Sequence, residues 1–156
     1  MHICKECIQP DNRPGIYFNK DGVCGACLWE HEKEKIDWEK RELELEKIVE
    51  NSKKVNSDYD CAIGVSGGKD STRQAHWVRD RLGLRPLLVC AAYPPNQMTQ
   101  IGADNLSNLI EMGFDLIVDT PAPQSAAKLA LESFMKFGNV SKSTEMSLFS
   151  TVPRLA

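Results

Sequence analysis

The sequence predicts an α/β protein: a parallel sheet with helices on both faces, preceded by a small four-cysteine metal knuckle and a charged connecting helix. Three observations carry this. Short apolar runs of strand type alternate with longer helical runs from Tyr59 onward. The first of those strands passes through Ser66-Gly67-Gly68 straight into a helix. Two Cys-x-x-Cys pairs stand close together near the amino terminus. The implied organisation is a knuckle over 1–28, a connecting helix over 29–56 and an incomplete α/β domain over 57–156.

In the knuckle, Cys4 and Cys7 are separated by sixteen residues from Cys24 and Cys27. Each pair bends so that both thiolates reach one ion, and four thiolates close a tetrahedral structural site. This spacing favours structural zinc, with an iron–sulfur cluster or redox cysteines as alternatives. Between the pairs, residues 10–16 form a turn-rich bridge. Ile16-Tyr17-Phe18 reads as a short strand, and Asn19-Lys20-Asp21-Gly22 as the hairpin turn that returns Cys24 to the first pair. Cys61 and Cys90 lie in apolar runs and read as small buried hydrophobes.

Residues 29–53 contain no glycine or proline and read as one solvated helix. Glu30–Lys33, Glu32–Lys35, Glu44–Lys47 and Glu50–Lys53 are spaced for attraction along it. Trp38, Leu45, Ile48 and Val49 supply a narrow apolar stripe for docking on the next domain.

Cys61 to Val65 is a buried-type strand, followed by Ser66-Gly67-Gly68-Lys69-Asp70-Ser71. Consecutive glycines let the backbone bend where a side chain would block an anion. The N–H groups of the turn and of the new helix then converge on one spot, aided by the helix dipole. Ser66 and Ser71 add hydroxyls and Lys69 a mobile positive charge. The pattern suits a phosphate or pyrophosphate and is not a Walker A loop, whose four-residue spacer is absent. Thr72 to Leu82 continues as a helix that stops at Gly83. Strand Arg85–Ala91, helix Ile101–Met112 with its stop at Gly113, strand Phe114–Asp119, helix Ala126–Phe137 and a helix from Lys142 to Ala156 follow. Three strands make a narrow sheet, so the chain is expected to be a portion of a longer protein.

A formal net charge of −3 over 156 residues, without basic-aromatic clusters, argues against a nucleic-acid partner. No apolar run approaches a membrane span and the amino terminus lacks a signal-peptide pattern, so a cytoplasmic location is expected.

Ser66 through Ser71 resembles the SGGxDS signature of the PP-loop ATP pyrophosphatases, whose domain is of the adenine nucleotide alpha hydrolase type. Further stretches are similar to the N-acetyl sugar amidotransferases of lipopolysaccharide O-antigen and nonulosonic acid synthesis. These are Cys4-Lys5-Glu6-Cys7-Ile8-Gln9-Pro10-Asp11-Asn12-Arg13-Pro14-Gly15-Ile16, Asp21-Gly22-Val23-Cys24-Gly25-Ala26-Cys27, and Ser141 to Phe149. Together they span nearly the whole chain.

The resemblance implies an enzyme that uses ATP to adenylylate a sugar acetamido oxygen and replaces it with ammonia-derived nitrogen. It implies that Ser66, Gly67, Gly68 and Ser71 hold pyrophosphate, that Lys69 stabilises charge during its release, and that Asp70 orients the loop or helps to hold Mg2+. Lys142 and Ser143 become candidates for a second phosphate contact. The implied partners are a nucleotide-linked acetamido sugar and a glutaminase subunit supplying ammonia, since no glutaminase nucleophile motif is present. Two rival readings are a PP-loop tRNA thiolation enzyme, for which Cys90 would handle sulfur, and a non-catalytic nucleotide-binding module.

Overall fold

The computed structural model describes every residue except Arg13, and the backbone alone at Ser143 and Thr144. It divides into two units, Met1–Glu46 and Lys47–Ala156.

In the first unit, isolated antiparallel bridges join Ile3 to Pro10 and Phe18 to Cys24. The expected strand at Ile16–Phe18 is therefore reduced to a single bridge. The hairpin closes through a side chain: Asn19 Oδ1 accepts the N–H groups of Asp21 at 3.0 Å and Val23 at 2.9 Å. The turn thus needs no ladder to hold it. Gly22 completes it at φ +80.

The connecting segment is two helices, α1 (Gly25–Glu34) and α2 (Trp38–Lys53), rather than one. Asp37 causes the break by capping α2: its Oδ1 accepts the Lys40 N–H at 2.9 Å, and its carbonyl accepts from Arg41. Of the anticipated charge pairs, Glu30–Lys33 and Glu32–Lys35 form at 2.5 and 2.7 Å. Glu44 pairs with Arg41 instead, and Lys53 donates to the Leu82 carbonyl. Leu45 and Val49 are half-buried, whereas Trp38 and Ile48 are exposed.

The second unit holds strands β1 (Cys61–Gly64), β2 (Pro86–Ala91) and β3 (Asp115–Asp119), all parallel in the order β1-β2-β3. Its helices are α3 (Lys69–Asp80), α4 (Gln100–Glu111), α5 (Pro123–Phe137) and α6 (Ser141–Leu155). The α/β reading with a parallel sheet is therefore correct. Most boundaries fall within a few residues of expectation. α3 starts at Lys69, ahead of the apolar run, because Gly68 serves as its N-cap. Pro123 sits in the first turn of α5, where its missing N–H costs nothing.

Register assigns the faces. Ile63, Leu88 and Leu116 align on one side, and Gly64, Val89 and Ile117 on the other. Right-handed crossovers in the order β1-β2-β3 put α3 and α4 on one face. There Ala75, Leu106 and Leu109 close over Ile63, Leu88 and Cys90 to form the core. The opposite face receives α6. A side chain at Gly64 would lie 3.0 Å from Val152, and Asp119 accepts from Thr151 at 3.3 Å and Arg154 at 2.5 Å. Helices thus cover both faces. Leu88 and Leu109 are wholly buried, each contributing about 1.5–3 kcal/mol by burial.

No helix among the described residues is long and apolar enough to cross a membrane.

Candidate functional site

The predicted loop residues stand together at the carboxyl end of β1, where open α/β sheets place ligands. Val65 extends the pairing by donating its N–H to Val89 O at 2.9 Å. The chain then reverses through Ser66, Gly67 and Gly68 into α3. Gly67 has φ +72, a conformation open to glycine and costly for other residues. A second constraint acts on the same residue. An added Cβ would fall 2.6 Å from the Asn105 carbonyl oxygen and 2.7 Å from Asn105 Cβ, so the loop lies hard against α4.

The serine hydroxyls build the loop as well as facing its mouth. Ser71 Oγ accepts the Ser66 N–H at 3.3 Å and donates to Gly68 O at 3.1 Å. Ser66 Oγ accepts the Gly68 N–H at 3.4 Å, and Thr72 Oγ1 donates to Gly67 O at 3.3 Å. Gly68 supplies no side-chain cap to α3. The first-turn N–H groups of Lys69, Asp70 and Ser71 therefore lack intrahelical partners and carry the positive end of the dipole. Lys69 and Asp70 are both 88% exposed and pair at 2.7 Å, so in this state the carboxylate holds the ammonium at the loop's rim. The arrangement can receive an oxyanion on backbone donors, with a mobile cation beside it.

Lys142 lies in the first turn of α6, with its Nζ 5.0 Å from the centre of the Phe137 ring. It lies ten residues before Val152, the α6 residue that packs on β1, or about 15 Å along the helix. The Ser143 side chain lies outside the described residues.

Beyond the carboxyl ends of β2 and β3 lies a hollow of about 510 Å³. Ala91, Ala92, Tyr93, Pro121 and Ala126 line it, with Gln97 and Ser147 as polar groups. A larger open trough of about 730 Å³ borders residues 53–58 and Arg85. It sits where β1 and β2 begin, at the end of the sheet opposite the loop.

In the knuckle, Cys4, Cys7, Cys24 and Cys27 bring their sulfurs within 4.8 Å of one another, an arrangement that could hold a metal ion. Cys4–Cys27 and Cys7–Cys24 stand 3.9 and 3.7 Å apart. The edge of a tetrahedron with zinc–sulfur bonds of about 2.3 Å is about 3.8 Å, so four sulfur donors at these spacings fit zinc. The Cys24 N–H points at Cys4 Sγ from 3.2 Å. Burial pushes the Cys4 thiol up, but N–H groups of Cys24, Glu6 and Cys7 outweigh it and hold the group at about 6. Cys27 is pushed up, first by its contact with Cys7 and then by burial. One ready thiolate crowded by reluctant thiols is what a cation would resolve.

Cys90 is buried in the core under α3 and α4, and burial raises its thiol. That fits its reading as a packed hydrophobe. Asn105 carried no signal in the sequence, because its contact with Gly67 is made across the fold; α4 is recognisable only by its apolar stripe.

No family model matches the chain. A stretch of 108 residues, 68% of the chain, is 30% identical to an uncharacterized protein of Methanocaldococcus jannaschii. The match covers 38% of that protein, so the chain spans well under two thirds of its relative's length.

Proposed function

We propose that this chain carries the ATP-binding portion of an amidotransferase of the PP-loop ATP pyrophosphatase type, acting on an acetamido sugar. The observation that supports it most is the strand–Ser-Gly-Gly–helix loop, with its uncapped first-turn N–H groups and an exposed Lys69. An amide oxygen is a poor leaving group, and ATP remedies this. The acetamido oxygen attacks the α-phosphorus and pyrophosphate leaves. Ammonia then adds to the activated carbon, and AMP departs with the oxygen, leaving an acetamidino group.

In this reading the loop N–H groups and Ser66 hold the β- and γ-phosphates. Lys69 swings from Asp70 to the departing pyrophosphate, where charge develops. Asp70, once released, is free to help hold Mg2+, which would neutralise phosphate oxygens. The uncharged hollow past β2 and β3 suits the flat face of the base. The knuckle's ion is structural zinc, because four sulfurs leave no open position. A nucleotide-linked sugar and an ammonia-supplying glutaminase subunit complete the proposal. The acidic balance of the chain favours that substrate over RNA.

Calorimetric titration of the zinc-loaded chain with ATP and magnesium tests the reading. Binding should weaken at least tenfold in the Ser66→Ala/Asp70→Ala variant. Equal binding by a folded variant would remove the loop from the site.

A further inference from the structure

We infer that Asn105, on α4, is a positioning residue for the anion held by the loop, its carboxamide N–H donating to a non-bridging phosphate oxygen. This rests on the phosphate reading of the loop. Three observations lead to it.

The first is proximity. Asn105 Cβ lies 2.7 Å from the point where a Gly67 side chain would begin, so the carboxamide works within one side-chain length of the turn. The second is availability. Around the turn, the hydroxyls of Ser71 and Thr72 donate within the loop, while Ser66 Oγ accepts from Gly68 and keeps its own hydrogen for a ligand. Asn105 is half-buried, and its carboxamide has no hydrogen-bond partner among the described residues. The carboxamide keeps access to solvent, so it stands as an open, unengaged donor beside the turn that a bound anion can take. The third is rigidity. Leu106 and Leu109 are buried in the core, and Thr99 caps α4 by accepting the Gly102 N–H at 3.2 Å. The helix therefore holds Asn105 at a fixed height against the loop.

Loop and α4 thus form two walls of one site. The first offers backbone N–H groups at a helix terminus. The second offers a neutral donor that adds a hydrogen bond without adding charge. Glycine at position 67 has a double role: it opens the left-handed turn and lets the second wall come close.

The experiment is titration of the full zinc-loaded chain with magnesium pyrophosphate, for wild type and for Asn105→Ala, Asn105→Asp, Asn108→Ala and Ser66→Ala. Asn105→Ala should weaken binding roughly ten- to a hundredfold, the effect of losing a hydrogen bond to a charged group. Asn108→Ala, on the exposed side of the same helix, should bind as wild type. Asn105→Asp keeps the shape but presents a carboxylate to an anion, so its loss should exceed that of alanine near neutral pH. Taken as a ratio to wild type at each pH, the aspartate defect should shrink as the solution is acidified toward the carboxylate range, and the alanine defect should not.

A packing role alone predicts the reverse, with Asn105→Asp near wild type and no dependence on pH; that result would overturn the inference. If Asn105→Ala melts at a markedly lower temperature, the isosteric aspartate variant decides. Should Ser66→Ala weaken binding while both Asn105 variants do not, Asn105 falls and the loop stands. Should Ser66→Ala also bind normally, the phosphate reading falls with it.

Discussion

Among the described residues, the first unit buries Cys4, Val23 and Cys24 and little else, whereas the second closes Ile63, Leu88, Cys90, Leu106, Leu109 and Phe114 into a continuous core. Two of the three buried residues in the first unit belong to the four-cysteine cluster that could hold a metal ion. The contrast shows two ways of stabilising a fold within one chain. The knuckle is too small to offset its chain entropy by burial alone, and an ion held by its four sulfurs would make up the difference. The sheet unit buries enough apolar surface to do without one.

The sharpest way to break this comparison is to take the metal away. Structural zinc in small knuckles contributes on the order of 10 kcal/mol or more. Chelation, or Cys24→Ala, should therefore collapse the amide resonances of residues 1–34 and leave those of the sheet unit in place. Loss of dispersion throughout the chain would show that the two units do not stand independently. The complementary change is Leu88→Ala, at a side chain with no exposed surface. It should cost the sheet unit about 2–5 kcal/mol in denaturant melts while zinc stoichiometry stays unchanged.

A smaller effect separates conformational strain from contact. Gly67→Ala and Gly113→Ala both force alanine to positive φ, at +72 and +82. Each should cost about 1–2 kcal/mol for the backbone alone. Nothing lies within 4 Å of a Cβ at Gly113, whereas at Gly67 it would meet Asn105 at 2.6 Å. Gly67→Ala should therefore destabilise more, and it alone should abolish pyrophosphate binding. Equal effects would mean that the loop has room to yield.

The mildest test uses acid. Arg85 hydrogen-bonds the Asp60 carboxylate through its side chain and its N–H, holding the group below the usual carboxylate range. The stabilisation is fully present above the unfolded-state value, near 4, and is lost as pH falls through the lower folded value. Asp60→Asn should lower the melting temperature of the sheet unit at neutral pH, and the gap should close as pH falls through the lowered folded-state value. A gap that persists in acid would assign the effect to packing rather than charge.

Legibility in the sequence follows how local each interaction is. The strand–glycine turn–helix geometry could be read because an apolar run, paired glycines and a helix start are contiguous. The cysteine cluster could be read because ligand spacing is itself a chemical constraint. The break between α1 and α2 was present as Asp37, a good N-cap, but a regular charge pattern on both sides obscured it. Asn105 meets Gly67 only after β2 has been laid beside β1, and that contact leaves no mark on neighbouring residues.

One consequence follows from where α1 begins. Its first residue, Gly25, lies directly after Cys24, and Cys27 falls within its first turn. The helix buries no residue among those described, and ten residues are too few to sustain a helix alone in water. Tethering Cys24 and Cys27 to one ion would fix the dihedral angles of that first turn, which is the unfavourable initiation step of the helix–coil equilibrium. The ion would then serve as the nucleus of α1, so that its occupancy can be followed as far-ultraviolet ellipticity, without any probe placed at the cysteines.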